Sequence, residues 1–486
     1  MELNTLIAAL LLGLLISLLT ILASIAESKK WRRRPPGPRG FPLVGSIHHL
    51  LTSQPQAALR DLAERHGPEV LQASDLSFAS RPSLLAGEII CYGNADVAFA
   101  PYGAYWRTSR KLCVLELLSP SKTRQFAPIR DRETMALVAE VRSSGGAAVN
   151  LHRLLVSCAS SITAMAAFGD RCSGELMEQF LPAVSFVISS ISGFCFSDLF
   201  PSLRFLDVVT GTKRRLWRAR RQLDGVLDKI IAENEARRKA KDDSDGNGDP
   251  LSAMLRIRDE GGFEFPFDTT NIKAIILDLF TGGTETVSSI AEWVMAELMK
   301  NPDAMVKSQE EVRQAFRDAD SRDHESQIEE LRYTRMVIKE TLRLHPPLPL
   351  LLPRLCQKTC TVGAFEVAMG TRVIINAWAI ARSTEYWSDA DEFRPERFAD
   401  GVADYKGTRF EFLPFGHGRR MCPGSGFAIA SLELMVARLL YYFDWSLPNG
   451  MRPEELDMDT TVVGAAARRT NNLLLVASPY EALMEI

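Results

Sequence analysis

The chain has 486 residues, of which 46% are hydrophobic and 24% are charged, and its formal net charge is −3. A net charge so close to zero argues against a general affinity for nucleic acid, and the apolar fraction is sufficient for a large core. No segment after position 45 is rich enough in Pro, Gly and Ser to separate two domains. We therefore expect one large catalytic domain over residues 46–486.

An apolar run of 21 residues, Leu6 to Ala26, lies near the start of the chain. As a helix it would span about 31 Å, which is the thickness of the hydrocarbon core of a bilayer. A cleaved signal peptide is the competing interpretation, but the run is too long for a typical signal core and the basic residues follow it. We expect a membrane anchor over residues 1–28, with the rest of the chain in the cytosol by the positive-inside rule.

A basic and proline-rich hinge is predicted next, over residues 29–45. Five basic residues between Lys29 and Arg34 precede the sequence Pro-Pro-Gly-Pro at 35–38. Proline ends a helix and stiffens an extended segment, so this stretch is expected to act as a spacer between membrane and domain. On the reducing side of a membrane the eight cysteines of the chain are expected to be mostly free thiols.

Trp106 and Arg110 are spaced as one turn of a helix that is predicted to begin after Gly103. With Arg107 and Lys111 they make the start of this helix basic. A solvated basic face is the default interpretation of such a pattern.

The longest predicted helix runs from Asp268, which suits a cap, to Met299, and would measure about 45 Å. Two adjacent glycines, Gly282 and Gly283, interrupt it, and each costs about 1 kcal/mol relative to alanine in a helix.

Two interpretations of these glycines are about even from the segment alone. In the first, the small residues let a ligand lie against the backbone, and Glu285 and Thr286 supply a carboxyl and a hydroxyl for proton delivery. In the second, the glycines mark a kink where another helix crosses closely.

Glu340 and Arg343 are three residues apart on a further predicted helix, so they share a face and can form an ion pair. After this helix, residues 370–375 resemble a short strand. It is expected to pair with residues 363–367 as a hairpin.

A lone cysteine, Cys422, lies in the sequence Phe-Gly-His-Gly-Arg-Arg-Met-Cys-Pro-Gly at 415–424. The glycines let the backbone approach a large planar group and leave N–H groups free to point at the sulfur. Arg420 is placed to meet an anionic edge of such a group. A buried free cysteine in a glycine-rich turn is the alternative, but the fixed offsets around the sulfur favour a metal-bound thiolate.

In their order and spacing these segments resemble the cytochrome P450 family. The resemblance covers the apolar anchor, the proline hinge, the Trp-x-x-x-Arg helix, the Gly-Gly-Thr-Glu-Thr helix, Glu-x-x-Arg, Pro-Glu-Arg-Phe at 395–398 and the cysteine loop. It implies the cytochrome P450 fold, which is mainly α with small β-sheets, preceded by an N-terminal transmembrane helix.

The resemblance also implies roles for particular residues. Cys422 corresponds to the thiolate that is the axial ligand of haem iron, and Glu285 with Thr286 to the acid–alcohol pair that conducts protons to the oxygen site. Glu340, Arg343 and Arg397 correspond to a buried structural triad. The residues implied to seat haem b are Trp106, Arg110, Arg354, Arg420, Phe415 and Gly424.

The implied activity is a monooxygenase that takes electrons from NADPH through cytochrome P450 reductase and inserts one atom of O2 into a lipophilic substrate. The sequence as a whole resembles those of plant microsomal enzymes of the endoplasmic reticulum membrane, in particular grass diterpene oxidases. Six apolar residues are expected to face the substrate: Leu277, Phe280, Leu350, Leu351, Val462 and Val463. The alternatives are a haem-thiolate isomerase or dehydratase, and a catalytically silent variant.

The chain departs from the family's pattern near residues 69–77. Relatives carry a two-stranded hairpin and the start of a helix between Gly67-Pro68 and the Phe-Ala-Ser-Arg-Pro segment at 78–82, where this chain has nine residues. Two average strands and a turn need about a dozen residues. We therefore expect an internal deletion that removes two strands of the small N-terminal sheet.

Overall fold

The structure is a computed structural model that describes residues 35–38, 40–41, 45–50, 52–66, 75–169, 174–191, 195–240, 249–262, 265–317, 319–401 and 404–480. The predicted anchor and most of the hinge lie outside these residues. Among the described helices, Leu151–Phe168 is long and apolar enough to cross a membrane, but 67% of it is buried inside the protein. We assign this helix to the core.

The described residues are mainly helical with small sheets, which confirms this part of the predicted fold class; the predicted transmembrane helix lies outside them. The α-helices are α1 Pro55–His66, α2 Leu85–Ile89, α3 Ala104–Leu112, α4 Pro120–Gln125, α5 Ala127–Ser143, α6 Leu151–Phe168, α7 Gly174–Ser190, α8 Phe196–Leu199, α9 Leu206–Val209, α10 Thr212–Ala240, α11 Pro250–Glu260, α12 Thr269–Gly283, α13 Glu285–Lys300, α14 Pro302–Phe316, α15 His324–Gln327, α16 Arg332–Leu344, α17 Ala377–Ile380 and α18 Ser425–Tyr442.

The strands are short and form small sheets. They are β1 Ala148–Asn150, β2 Arg354–Leu355, β3 Cys360–Val362, β4 Phe365–Val367, β5 Arg372–Val373, β6 Phe443–Ser446, β7 Thr460–Val463, β8 Ala466–Arg469 and β9 Leu474–Pro479. In the described part of the chain, one sheet has three strands in the order β1-β9-β6, and the pairs β2-β5, β3-β4 and β7-β8 form sheets of two strands. The pairs β1-β9, β3-β4, β6-β9 and β7-β8 are antiparallel.

The chain divides into two compact units. The smaller unit consists of residues up to 79 together with 355–373 and contains α1 and the β3-β4 hairpin. Its apolar centre is formed by Phe78, Cys356 and Val362. The larger unit comprises residues 80–354 and 374–486, and its cores are built by the apolar faces of α6, α12, α13, α16 and α18, among others.

The predicted hairpin between residues 363–367 and 370–375 was wrong in its pairing. Gly363 has a φ of +56° and forms a two-residue turn with Ala364, so β4 pairs back onto β3. β5 pairs instead with β2. Residues 67–74 lie outside the described part, so the predicted deletion stays a prediction.

The longest predicted helix is divided into α12 and α13. The Asp268 carboxylate accepts hydrogen bonds from the N–H groups of Thr270 and Asn271, and the Asn271 side chain accepts one from the Asp268 N–H. This capping box starts α12 at the predicted place. The interruption lies at Thr284, whose φ and ψ of −95° and −71° separate the two helices one residue after the glycine pair.

Glu340 and Arg343, both fully buried, form a two-point ion pair with N···O distances of 2.8 Å. The Nε of Arg397 donates to the same carboxylate at 2.9 Å. The two guanidinium groups also donate to the carbonyl groups of Ala381, Ala390, Glu392, Ser388 and Asp389. Because buried charges need several partners, this network holds the segment 381–397 against α16.

Candidate active site

A cavity of about 340 Å³ lies inside the larger unit, between α12, α13 and the 415–424 loop. Its walls are mostly apolar. Of the residues predicted from the sequence to hold haem or to move protons, all but Trp106 line this cavity. The fold thus brings together residues that are separated by more than three hundred positions in the chain.

The cysteine loop presents its sulfur to the cavity. Gly416 and Gly418 adopt left-handed φ values of +69° and +64°, which a residue with a Cβ rarely takes, and they turn the chain so that the Cys422 N–H donates to the Phe415 carbonyl at 2.9 Å. Cys422 itself is accessible from the cavity.

The surroundings of Cys422 act on its thiol in opposite directions. Burial raises the pKa of this thiol, whereas the Gly424 N–H, which points at the sulfur, and the charge of Arg110 lower it. An N–H group directed at sulfur is the contact that stabilises a thiolate ligand. Gly424 has an ordinary φ of −94°, so its role is to supply this N–H group.

Four arginines from separate parts of the chain meet at one side of the cavity, and we call Arg81, Arg110, Arg354 and Arg420 the arginine cluster. Each donates to backbone carbonyl groups: Arg81 to Ala98, Leu352 and Pro353, Arg110 to Met421, Arg354 to His417, and Arg420 to Val97 and Ala100.

The electrostatics of the arginine cluster suit an anionic ligand. The pKa of Arg81 is lowered by burial and then by the charges of Arg420 and Arg354. The pKa of Arg420 is lowered to about 9 by burial, Arg110 and Arg354. Buried cations that repel one another are costly unless an anion lies among them. The two carboxylates of haem b would meet this need, so the residues fit the cofactor.

Trp106 takes a supporting position behind the arginine cluster. Its indole N–H donates to the Val97 carbonyl at 3.0 Å, and the Arg420 guanidinium lies 4.2 Å from the centre of a Trp106 ring. A cation over an aromatic face is held by the ring quadrupole. Trp106 is therefore placed to orient Arg420.

The two glycines of α12 have different surroundings. A Cβ on Gly283 would lie 2.7 Å from the Thr163 Oγ1 of α6, so α6 and α12 approach closely there. A Cβ on Gly282 would meet no heavy atom within 4 Å, and this residue lines the cavity. Gly283 also borders the cavity, so the close helix crossing applies to Gly283 and the space for a ligand applies to both glycines.

We expect Gly283→Ala to lower the free energy of unfolding by about 1–3 kcal/mol, because the Thr163 hydroxyl would have to move and break its hydrogen bond to the Ala159 carbonyl. Gly282→Ala is the matched control. It should leave the stability unchanged or raise it by about 0.5–1 kcal/mol, because alanine is the better helix former. Thermal unfolding of both variants measures the difference, and equal midpoints would contradict the close approach of α6.

Glu285 and Thr286 both line the cavity just after the break at Thr284. The Thr286 hydroxyl donates to the Gly282 carbonyl at 2.5 Å, across the break. The Glu285 carboxylate lies 3.9 Å from the Arg468 guanidinium. A hydroxyl and a carboxyl group are thus available where the helix opens onto the cavity.

The predicted apolar lining was right in part. Leu277 and Leu351 line the cavity. Phe280 does not, because it is fully buried and packs on Phe168 and Phe180, with ring centroids 5.2 and 4.8 Å apart. Leu350, Val462 and Val463 are also outside the described lining, where the β7-β8 segment contributes Ala465 and Ala466.

Two cavity residues with charged side chains were missed from the sequence, Arg81 and Asp278. Arg81 follows the apolar and small residues Phe78-Ala79-Ser80, and a cation in such a segment is a usable sign of a buried role. Asp278 lies one turn before Gly282 on the cavity side of α12. An acid between Leu277 and Leu279 was the corresponding signal.

Comparison with known proteins agrees with this geometry. The sequence model of the cytochrome P450 family matches residues 68–474. Two rice proteins, cytochrome P450 99A2 and 9-beta-pimara-7,15-diene oxidase of Oryza sativa subsp. japonica, are each 56% identical to this chain. Both alignments cover 99% of this chain, and they cover 94% and 99% of the two relatives.

The alignments with the rice proteins extend over 516 and 510 residues, whereas this chain has 486. Both relatives therefore carry residues that this chain lacks. A more distant relative, premnaspirodiene oxygenase of Hyoscyamus muticus, is 42% identical over 497 residues, with 96% of this chain and 98% of the relative covered.

A solved structure of a zebra fish cytochrome P450 with progesterone superimposes with a TM-score of 0.72. The superposition covers 87% of this chain and 99% of the zebra fish chain at 21% sequence identity, and it supports the cytochrome P450 fold. The chain belongs to the cytochrome P450 family and is a monooxygenase with haem b as its cofactor.

Proposed function

We propose that this monooxygenase oxidises a lipophilic terpenoid of plant specialised metabolism, with a diterpene hydrocarbon as the first candidate. The observation that carries this proposal is the 56% identity, over 99% of both chains, to a protein named 9-beta-pimara-7,15-diene oxidase. The mostly apolar cavity supports it, because a hydrocarbon offers no polar group and is held by shape.

Different residues of the chain have different proposed roles in binding the cofactor. Haem b, when bound, supplies the iron at which dioxygen is activated. Cys422 is the proposed thiolate ligand, and the Gly424 N–H stabilises its sulfur. Arg110, Arg354 and Arg420 hold the carboxylates of the cofactor.

Thr286 and Glu285 are the proposed proton donors of the site. Both border the cavity, and the Thr286 hydroxyl is already oriented by its bond to the Gly282 carbonyl. A positioned hydroxyl can pass a proton to a reacting oxygen while the nearby carboxyl restores it.

The proposed setting is the endoplasmic reticulum membrane, with residues 1–28 as a single anchor, 29–45 as the hinge and 46–486 as the cytosolic catalytic domain. Electrons would come from NADPH through cytochrome P450 reductase. Three exposed basic residues beside the site, Arg107, Lys111 and Arg419, offer a surface for an acidic partner.

The direct test is to supply 9-beta-pimara-7,15-diene to microsomes that contain this chain and a plant reductase. We expect an oxygenated product that requires both NADPH and O2. Rearrangement of an organic peroxide by the same preparation without NADPH would indicate the isomerase or dehydratase alternative. A reduced protein without a carbon-monoxide difference spectrum would indicate the silent variant.

We expect Thr286→Ala to uncouple the enzyme, so that the ratio of product to NADPH consumed falls by about tenfold or more. The reason is the loss of the only atom through which this side chain can orient or pass a proton. The ratio is measured by following NADPH absorbance and product in the same reaction.

Ser288→Ala is the matched control for Thr286→Ala. The Ser288 hydroxyl donates to the Thr284 carbonyl at 3.0 Å, also four residues back, but it is buried away from the cavity. Its removal should leave the coupling ratio unchanged. Equal ratios in Thr286→Ala and in the unsubstituted enzyme would remove Thr286 from the proton path.

A further inference from the structure

Two aspartates meet beside the cavity and have no part in the function proposed above. Asp96 has an exposed fraction of 0%, and Asp278 lies on α12 where it lines the cavity. Asp278 binds the N–H of Val97, the residue next to Asp96, so the two carboxyl groups lie close together, and each shifts the pKa of the other.

These carboxyl groups also bind the backbone of the segment 95–100, which we call the 95–100 loop. The Asp278 Oδ2 accepts the N–H groups of Val97 and Ala98 at 2.6 and 3.2 Å. The Asp96 oxygens lie 3.3 Å from the Phe99 nitrogen, which donates to them. The pair therefore fastens the 95–100 loop to α12.

Val97 and Ala98, whose N–H groups donate to Asp278, also accept hydrogen bonds through their carbonyl groups from Trp106 and the arginine cluster. The Val97 carbonyl accepts from the indole of Trp106 at 3.0 Å and from Arg420 at 3.2 Å. The Ala98 carbonyl accepts from Arg81 at 3.0 Å. A shift of this loop would therefore move the acceptors that orient both guanidinium groups.

The proximity of the two carboxyl groups requires a proton between them, because two carboxylates so close together repel each other. Asp278 accepts two backbone N–H groups, which favours its charged form, so the proton resides on Asp96. Consistent with this, burial and the charge of Asp278 raise the pKa of Asp96 well above its usual value. Burial raises the pKa of Asp278 to about 6.

We propose that Asp96 and Asp278 are positioning residues that share one proton and hold the 95–100 loop in the place where it orients the arginine cluster. Loss of the shared proton would leave two adjacent carboxylates. Their repulsion would release the loop. Arg420 would then lose both of its carbonyl acceptors, Val97 and Ala100, and Arg81 would lose one of its three, Ala98. The bound cofactor would then be held less tightly.

Haem retention is therefore expected to fall as the pH rises. A carboxyl whose pKa is raised in the folded protein contributes its full stabilisation below its unfolded pKa, near 3.9, and loses it as the pH rises through the folded value. The charged or titratable side chains that interact with the pair are Arg81, Arg420, Cys91, Cys113 and Tyr105. The two arginines favour the charged form of Asp96, and burial opposes it.

The test uses the purified haem-loaded protein and measures the fraction of haem retained after incubation and desalting, at pH values from about 7 to about 10. In Asp96→Asn the amide donates to the Asp278 carboxylate but cannot lose a proton in this range. We expect its midpoint of haem loss to lie at least about one pH unit above that of the unsubstituted protein. A residue with only a packing role would not shift this midpoint.

Asp278→Asn is the second variant, because its amide can donate to Asp96 and still accept the Val97 and Ala98 N–H groups. It should shift the midpoint in the same direction. Asp207→Asn is the matched control: Asp207 is a buried carboxyl of α9 that also accepts two consecutive backbone N–H groups, at 3.1 and 2.7 Å. It should leave the midpoint unchanged.

Three results would overturn the proposal: constant haem retention by the unsubstituted protein over the whole range, an unshifted midpoint in the asparagine variants, or an equal shift in Asp207→Asn. The inference rests on the proposed seating of haem by the arginine cluster. Failure of that seating is visible separately, because Arg420→Leu would then retain its haem at neutral pH.

Discussion

Replacing Glu340 with alanine is expected to lower the free energy of unfolding by about 3–5 kcal/mol. The Glu340 carboxylate, with an exposed fraction of 0%, accepts two hydrogen bonds from Arg343, one from the Arg397 side chain and one from the Arg394 N–H. Its removal would leave two guanidinium groups without their counter-charge in the interior. Since domains are stable by about 5–15 kcal/mol, this loss is a large fraction of the whole.

Urea unfolding of the purified catalytic domain measures this change, with Glu396→Ala as the control. Glu396 lies in the same Pro-Glu-Arg-Phe segment, but its side chain is 56% exposed and its ion pair with Lys307 spans 3.4 Å. Exposed pairs contribute about 0–1 kcal/mol. A similar loss of stability in both variants would mean that the buried network is not a structural clamp.

The second large effect is expected at Cys422, where serine should abolish the thiolate spectrum of the reduced carbon-monoxide complex and all monooxygenase activity. A serine hydroxyl is a far weaker donor to iron than a thiolate, and it would not push electron density toward the O–O bond. The Gly424 N–H, which now donates to the sulfur, would also lose this acceptor. The spectrum of the reduced protein under carbon monoxide is the measurement.

Cys113→Ser is the matched control for this experiment. Cys113 lines the same cavity and is buried, but it lies at the end of α3 and outside the glycine loop. Its variant should keep the spectrum of the unsubstituted protein. If the Cys422 variant kept it too, the ligand assignment would be wrong.

The sequence was informative wherever the partners of an interaction are close along the chain. Glu340 and Arg343 are three residues apart, so helix geometry alone places them on one face. The cap at Asp268 and the thiolate loop around Cys422 are local in the same sense. For the loop, the structure added the reasons: positive φ at Gly416 and an N–H directed at sulfur from Gly424.

Pairings between distant segments could not be read from local patterns. The hairpin was predicted with the wrong partner because any short apolar run can pair with any other, and the two-residue turn at Gly363 decided between them. Phe280 was expected at the cavity because the corresponding segment, Leu277 to Phe280, lines the pocket in the family that the chain resembles. The rotation of α12 against α6 and α7 buried it instead.

By itself the sequence determined the family, the cofactor and the order of the elements, because fixed spacings around a cysteine, a glycine pair and a Glu-x-x-Arg helix are local properties. Only the tertiary structure decided that Gly283 packs on Thr163 while Gly282 faces the cavity, and that Asp96 meets Asp278 across 182 positions. Such contacts depend on how whole helices and loops pack. The free energy of that packing is summed over the entire core, so no short stretch of residues is sufficient to predict it.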